Sequence, residues 1–382
     1  MAPSHALGTW AEASFGALAG RVTVSEWDGE TWSAVGQELE GEGAGDGFGS
    51  VVSLSSSGAR LAVGAAGNEA GGVDAGHARV YELRSDESGV KSWTPMGDDI
   101  DGVSGSDEFG YALALSGDGA RVVVAAKDKA NFKKGRVSAF EWNATAWVKM
   151  GEDIVGDVPM DFAGSGVSLS NDGSRMAVGT KGANPGDLSS AGIVRVYDWN
   201  ATGAAWVQVG GDVPGVADDD AFGQSVSLSG DGARFAAGAH KNDDGGDAAG
   251  HVRVYQYDAD ADAWTAIGTV EDGTVLDGEA AADESGFCVS LSEDGERVAV
   301  GAPQNDAGGL DAAGHVRVFG FVSSSPPPPP PFPPPAPPPP FPPLPPSPPL
   351  PSPPPLPSPP PLPSPPPPSP PPPLPPSSRS PV

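Results

Sequence analysis

Residues 222–229 read Phe-Gly-Gln-Ser-Val-Ser-Leu-Ser, with Val226 and Leu228 alternating against serines. A period of two sends successive side chains to opposite faces, so this run predicts a β-strand with one apolar face. Gly230-Asp231-Gly232 follows, and Asp-Gly between two alternating runs signals a hairpin because glycine accepts positive φ. The next run is RFAAGA at 234–239, matched by RVAVGAP at 297–303 and RVVVAA at 121–126. It is small and apolar on both faces, as suits a strand sandwiched between neighbouring sheets. A loop leads to GHVRVYQY at 250–257, where Val-Arg-Val leaves one face wet, and a short turn leads to AWTAIG at 263–268. These four predicted strands, a to d, form one unit. No stretch carries a 3.6-residue apolar period long enough for a helix.

The unit repeats. Aligned on Ser-Leu-Ser, equivalent leucines fall at Leu54, Leu115, Leu169, Leu228 and Leu291, in steps of 61, 54, 59 and 63 residues. That spacing suits a four-stranded propeller blade plus its loops, and radial blades shorten the exposed edges that a flat array would present. Strand c occurs six times, beginning at Gly20, Gly76, Gly135, Gly192, Gly250 and Gly314, whereas strand a occurs five times. The chain therefore opens mid-blade, with a remnant of strand b near Ala6 to Trp10, and the last blade stops after strand c. The expected fold is all-β: a propeller of four-stranded antiparallel blades over residues 1–322, with six blades of which the first and last are incomplete. Five blades, or a truncated seven, are the alternatives.

Composition changes at Ser323. Of 45 prolines, 39 lie in the last 60 residues, and proline broken by Ser, Leu, Phe and one Ala cannot build a packed core. Residues 323–382 are read as a polyproline II stalk. Phe332, Phe341, Leu344, Leu350, Leu356, Leu362 and Leu374 are separated by multiples of three, which would line one edge of a three-residue-per-turn rod. Phe341, Leu344, Leu350, Leu356 and Leu362 are the candidate partner-binding residues of this tail. The net charge of −29 argues against nucleic acid and against an anionic membrane surface. The single cysteine, Cys288, excludes an intramolecular disulfide and any Cys-based zinc site. No apolar run approaches the roughly 18 residues of a membrane span. The first 20 residues lack a basic and apolar leader pattern.

Phe48-Gly49, Phe109-Gly110 and Phe222-Gly223, each followed by a strand and then by Val-Gly-Ala or its like, resemble the FG-GAP repeats of integrin-alpha-type propellers, and Gly301-Ala302-Pro303 supplies the GAP element. That resemblance implies a propeller used for adhesion or recognition. In the family, the a–b turn often holds a calcium loop of the form DxDxDGxxD. Here Asp118-Gly119, Asp172-Gly173, Asp231-Gly232 and Asp294-Gly295 keep its Asp-Gly part, while Arg60, Arg121, Arg175, Arg234 and Arg297 take the place of the closing carboxylate. A guanidinium cannot ligate a hard cation, so the family's Ca²⁺ sites are not expected to carry over.

In an up-and-down blade the d–a and b–c loops share one face. Both are acidic, and Asp243, Asp244, Asp247, Asp306 and Asp311 are the candidate ligands for a weakly held Ca²⁺ or a cationic partner. The alternative is a solvated surface whose Asp, Asn and Gly make turns. Trp27 and Trp32, Trp142 and Trp147, and Trp199 and Trp206 flank c–d turns, as aromatic pairs closing an outer hairpin. His77, His251 and His315 recur with the blade and are too widely spread to converge on one metal. Asn143-Ala144-Thr145 and Asn200-Ala201-Thr202 are N-glycosylation sequons in equivalent c–d turns. No one-off constellation of nucleophile, base and orienter stands out.

The expectation is therefore a non-enzymatic extracellular, cell-wall or cell-surface binding protein without a cofactor. Its partner would be a protein or a cell-wall polysaccharide. The tail resembles hydroxyproline-rich glycoproteins such as extensins and pherophorins. The rival expectation is an intracellular scaffold whose tail recruits EVH1, SH3 or profilin-type modules, for which Phe341-Pro342-Pro343-Leu344-Pro345 fits the EVH1 pattern.

Overall fold

The structure is a computed structural model and describes residues 4–9, 18–267, 276–306 and 310–321. The chain divides into two units, Met1–Pro327 and Pro328–Val382. The first is a six-blade, all-β propeller of antiparallel sheets. Blade 1 contains Ser4–Thr9, Arg21–Trp27 and Trp32–Ala34, in the places of strands b, c and d. Blade 2 runs a to d as Val51–Leu54, Arg60–Ala65, His77–Ser85 and Lys91–Pro95. Blade 3 is Ala112–Leu115, Arg121–Ala126, Arg136–Trp142 and Trp147–Lys149. Blade 4 is Ala163–Leu169, Arg175–Thr180, Ile193–Asn200 and Ala205–Pro214. Blade 5 is Ser225–Leu228, Arg234–Ala239, His251–Asp258 and Ala263–Ala266. Blade 6 has strands a to c, Cys288–Leu291, Arg297–Ala302 and His315–Gly320. The expected mid-blade opening is present, two residues earlier than the sequence pattern placed it. The 60 proline-rich residues and the stalk register fall outside the described residues.

Apolar clusters join each blade to the next. Between blades 4 and 5, for example, Val194 and Val196 of one strand c meet Phe222, Phe235 and Tyr255 of the following blade. The Phe-Gly and Val-Gly-Ala motifs acquire a steric reason at these seams. A side chain on Gly179 would sit 1.9 Å from the carbonyl oxygen of Gly223, and one on Gly238 equally close to that of Gly286. Gly179 and Gly238 therefore leave room for the backbone of the next blade, and the Phe-Gly glycines Gly49, Gly110 and Gly223 for that of the blade before.

Arginine and tryptophan staple the same seams. Arg60, Arg175 and Arg234 donate to the carbonyls of Gly119, Gly232 and Gly295 in the a–b turn of the next blade, at 3.1, 3.0 and 2.9 Å. The arginine that replaces the closing carboxylate is thus an interblade clamp. At the outer edge, the indole N–H groups of Trp93, Trp147, Trp206 and Trp264 donate to Val35, Met96, Met150 and Val209 of the preceding blade, at 3.0, 2.9, 3.1 and 3.1 Å. The cross-strand aromatic pairs also form, with ring centroids 5.3–5.4 Å apart for the three Trp–Trp pairs.

The a–b turns meet near the axis. Ser56 N–H donates to Gly117 O, Asn171 N–H to Gly230 O, and Gly230 N–H to Glu293 O. The Asn171 side chain spans the collar, donating to Glu293 Oε1 at 2.6 Å and accepting from Ser56 Oγ at 3.4 Å. This collar draws the turn backbones together on one face, and the loops that frame the site below lie on the other.

Candidate anion-binding site

The d–a and b–c loops were expected to form an acidic rim, but several of their carboxylates turn inward. Asp220 is 1% exposed. It accepts from the amides of Val216 and Ala217 and from Asn242 Nδ2, at 3.2, 2.9 and 3.0 Å. Asp46 with Asn68 and Asp283 with Asn305 repeat this lock at the same spacing of 22 residues. Asp107 is held by Arg136 at 2.7 Å. Asp46, Asp220 and Asp283 stitch one blade's entry loop to its own b–c loop, and Asp107 ties its loop to strand c of blade 3. Replacing Asp220 by alanine would strand three donors in a buried site, and a loss of roughly 2–4 kcal/mol is expected. Urea denaturation of that variant beside Asp220→Asn, which keeps an acceptor, measures it.

The candidate calcium ligands are not gathered into one cluster. Asp243 Oδ1 accepts from Ala248 N–H at 2.7 Å and Asp306 Oδ1 from Ala312 N–H at 2.9 Å, both turn contacts. Asp244 approaches His251 at 3.9 Å. The Asp247 carbonyl accepts from Ala282 N–H, and Asp311 is exposed. In the a–b turns, Asp118, Asp172, Asp231 and Asp294 each accept from a serine hydroxyl two residues earlier. Among the described residues, metal-like spacing occurs at Glu42, His77 and Asp99. Arg79 already bridges both of those carboxylates, and burial holds His77 below the usual histidine range despite the adjacent Asp99.

The opposite charge makes a pocket. The chain has eight lysines, and six of them, Lys127, Lys129, Lys133, Lys134, Lys181 and Lys241, lie in the b–c connections of blades 3, 4 and 5. Lys127, Lys181 and His240 are each the first residue after strand b. Lys127, Lys129, Lys133 and Lys181 line a cavity of about 230 Å³ together with Tyr111, Phe162 and Ser165. Lys127 lies 4.1 Å from the Tyr111 ring centre, and Lys181 5.4 Å from that of Phe162. Lys127 and Lys129 share the carboxylate of Glu108. Lys133 and Lys181 face the cavity with no carboxylate partner among the described residues, and Lys181 donates to the neutral amide oxygen of Gln224 at 2.9 Å.

Electrostatics agree with this placement. Burial pulls the Lys181 ammonium below the usual lysine range, and the neighbouring charges of Lys127 and Lys241 pull the same way. Burial and then Lys181 and Lys241 hold His240 down to about 4. A bound anion would relieve both. Chemically, the cleft can neutralise an oxyanion with several ammonium groups while two aromatic faces pack an apolar body. Sequence reasoning passed over this site because the net charge drew attention to carboxylates. The usable signal was a basic residue type, Lys127, Lys181 and His240, at one blade position three times running.

Asn143 and Asn200 are exposed in their c–d turns, and each side-chain oxygen accepts turn amides, from Thr145 and Ala146 and from Thr202 and Gly203. Asp28, Asp86 and Asp258 play the same part in blades 1, 2 and 5. The turn thus asks for Asn or Asp whether or not a glycan follows. Phe341, Leu344, Leu350, Leu356 and Leu362 lie outside the described residues.

No protein-family model matches the chain, and no curated protein does. Among solved structures, the chain is similar to the periplasmic gluconolactonase PpgL of Pseudomonas aeruginosa, at 17% identity and a TM-score of 0.49, over 77% of this chain and 74% of that one. It is similar to a provisionally assigned 6-phosphogluconolactonase of Bacteroides fragilis, at 13% identity and a TM-score of 0.45, over 70% and 66%. A provisionally assigned TolB of Agrobacterium tumefaciens follows at 12% identity and a TM-score of 0.38, over 70% and 75%. The first two are enzymes by name and none is an integrin-type propeller, so the expected assignment to non-enzymatic adhesion or scaffolding is withdrawn. At these identities and scores, no residue role transfers to this chain. Among the described residues, no helix is long and apolar enough to cross a membrane.

Proposed function

We propose that this propeller binds a small organic anion, one carrying phosphate, sulfate or carboxylate, in the lysine-lined cleft between blades 3 and 4. The observation that carries the reading is that Lys133 and Lys181 face a cavity with no carboxylate partner among the described residues, in a chain of net charge −29. Each ammonium kept there against the pull of so many carboxylates elsewhere is explained by a ligand that supplies the missing negative charge. Titration calorimetry with inorganic phosphate and pyrophosphate tests it. Saturable binding is expected, weakened at least about tenfold, or about 1.4 kcal/mol, by Lys181→Gln and by Lys133→Gln. Lys91→Gln, on the outer strand of blade 2, should leave it unchanged. Equal heats in all four proteins would refute the site.

The finer kinship, to FG-GAP repeats, is supported by the Gly-Ala-Pro element at 301–303 and by the Phe-Gly motifs, whose glycines serve the blade seams. Two exposed sequons in equivalent turns support passage through a secretory route. Glycopeptide mass spectrometry of the native protein should find glycan on Asn143 or Asn200; bare asparagine at both would remove that support.

A further inference from the structure

In blades 1 to 4 a carboxylate stands six residues after the strand d tryptophan: Glu38, Asp99, Asp153 and Asp212. In three of these blades a guanidinium meets it. Arg21 donates to Glu38 at 2.9 Å in blade 1. In blade 2, Arg79 presents Nε and Nη2 to the two oxygens of Asp99. Arg195 presents the same fork to Asp212 in blade 4, at 2.8 and 3.0 Å. Arg79 and Arg195 are each the third residue of strand c, and each also reaches a carboxylate in the loop entering its blade, Glu42 and Asp157.

Blade 3 keeps the carboxylate and lacks the guanidinium. Its third strand c residue is Ser138. Val103 takes the place of Glu42 and Asp157, one residue after Gly102 as they are after Gly41 and Gly156. Arg136, the counterpart of Arg21, turns to Asp107 instead. Asp153 is left with Ser138 and Lys149, and both of them meet the same oxygen, Oδ1. Among the described residues nothing donates to Oδ2. Val103, Ser138 and Asp153 line a cavity of about 380 Å³ between blades 2 and 3, within the range of small-ligand sites. Phe140 and Trp147 add aromatic walls to it, and Asp98 and Asp101 add exposed carboxylates with no ion pair among the described residues.

We infer that this cavity takes the guanidinium of an arginine side chain presented by a peptide or protein partner, in the place that Arg79 and Arg195 fill in their own blades. Asp153 offers the guest the carboxylate that Asp99 and Asp212 offer to their arginines, and a planar fork matches it with two charge-assisted hydrogen bonds. Lys149 gives way at little cost, because its side chain is 44% exposed and such pairs are weak. Aromatic walls suit a planar cation, and Val103, 75% exposed, suits an aliphatic stem. Asp98 and Asp101 repel a ligand with a carboxylate of its own, which favours arginine within a chain over the free amino acid. The inference is independent of the anion site, since none of these residues lines that cleft.

The probe is the peptide Gly-Gly-Arg-Gly-Gly, acetylated and amidated at its ends, titrated calorimetrically into the full protein at constant ionic strength. One-to-one saturable binding is expected, weakened at least about tenfold when citrulline, the neutral isostere, replaces the peptide's arginine. Ser138→Arg fills the cavity with the side chain that blades 2 and 4 carry, and Asp153→Asn removes the charge at constant volume. Each should weaken binding by at least about tenfold. The second carries the test if the first does not fold, which circular dichroism reads. Lys149→Ala frees Asp153 and should tighten binding about two- to fivefold, whereas Lys91→Ala, the same charge change on blade 2, should not. No binding, equal binding of the citrulline peptide, or equal binding by Asp153→Asn would overturn the inference; the last would mean that the acidic surface at large holds the peptide. Free arginine bound as tightly as the peptide would overturn it too, because the ligand would then be the amino acid and not a partner chain.

Discussion

Replacing Trp93 by alanine is expected to destabilise the propeller by about 3–5 kcal/mol, the range for truncating a large aromatic in a core. Trp93 is 3% exposed and belongs to the cluster that joins blades 1 and 2. Its indole N–H donates to Val35 O, and Gln37 and the Trp93 backbone exchange two further hydrogen bonds, at 2.7 and 2.9 Å. The ring occupies space that only glycine leaves open: a side chain on Gly36, itself at φ +75°, would lie 2.5 Å from Trp93 Cδ1. Truncation therefore removes packing and leaves an acceptor short of its donor at once. Trp93→Phe should lose less, because the ring remains and the hydrogen bond alone contributes about 1 kcal/mol. Chemical denaturation of the three proteins gives the order wild type, Phe, Ala. Equal stability of the alanine variant would mean that blade 1 is held by its backbone links alone. Gly36→Ala, with Trp93 left in place, should also destabilise, since the added methyl meets the indole.

That staple shows how far the sequence could be read. The repeat, the strand order and the opening in the middle of blade 1 follow from periodicity, because alternation and Asp-Gly turns are local properties of the chain. The tryptophans were visible as hairpin pairs. Their second role was not, since the acceptors Val35, Met96, Met150 and Val209 lie 51–58 residues away and nothing local marks a backbone carbonyl as a partner. The arginines after the a–b turns followed the same course. Sequence logic identified what they displace, a closing carboxylate, while the structure shows what they hold, the next blade's turn.

The site was less legible for a different reason. A run such as Asp218-Asp219-Asp220 reads as one acidic surface, yet its members face different ways: Asp220 is locked inside, whereas Asp218 is exposed and accepts from Ser189 N–H at 2.8 Å. Side-chain direction in a loop depends on backbone turns that alternation does not encode. The cleft lysines come from loops of two blades, residues 127–133 and residue 181, and only the ring brings them together.

The propeller should also lose stability in acid well before its carboxylates protonate, and His240 is the largest single reason. The residue is 7% exposed, with its ring packed edge-to-face on Phe287 at 5.6 Å and no partner for Nδ1 among the described residues. Burial, Lys181 and Lys241 lower it from 6.5 to about 4 in the folded protein. The unfolded chain therefore binds a proton that the folded one refuses. The neutral ring's contribution is fully present above pH 6.5 and is lost as pH falls from there toward 4, by up to about 3 kcal/mol. His77 and His251 are lowered in the same direction by burial and add to the slope. Urea denaturation at pH 7 and pH 4.5 should show this loss, and His240→Phe, which cannot take the proton, should show a clearly smaller one. Equal losses in the two proteins would place the acid sensitivity elsewhere. The same histidine ties stability to the cleft: an anion beside Lys181 favours the protonated ring. Phosphate should therefore recover part of the loss at pH 4.5 in the wild type and less of it in His240→Phe, whereas chloride at equal ionic strength should not separate the two proteins.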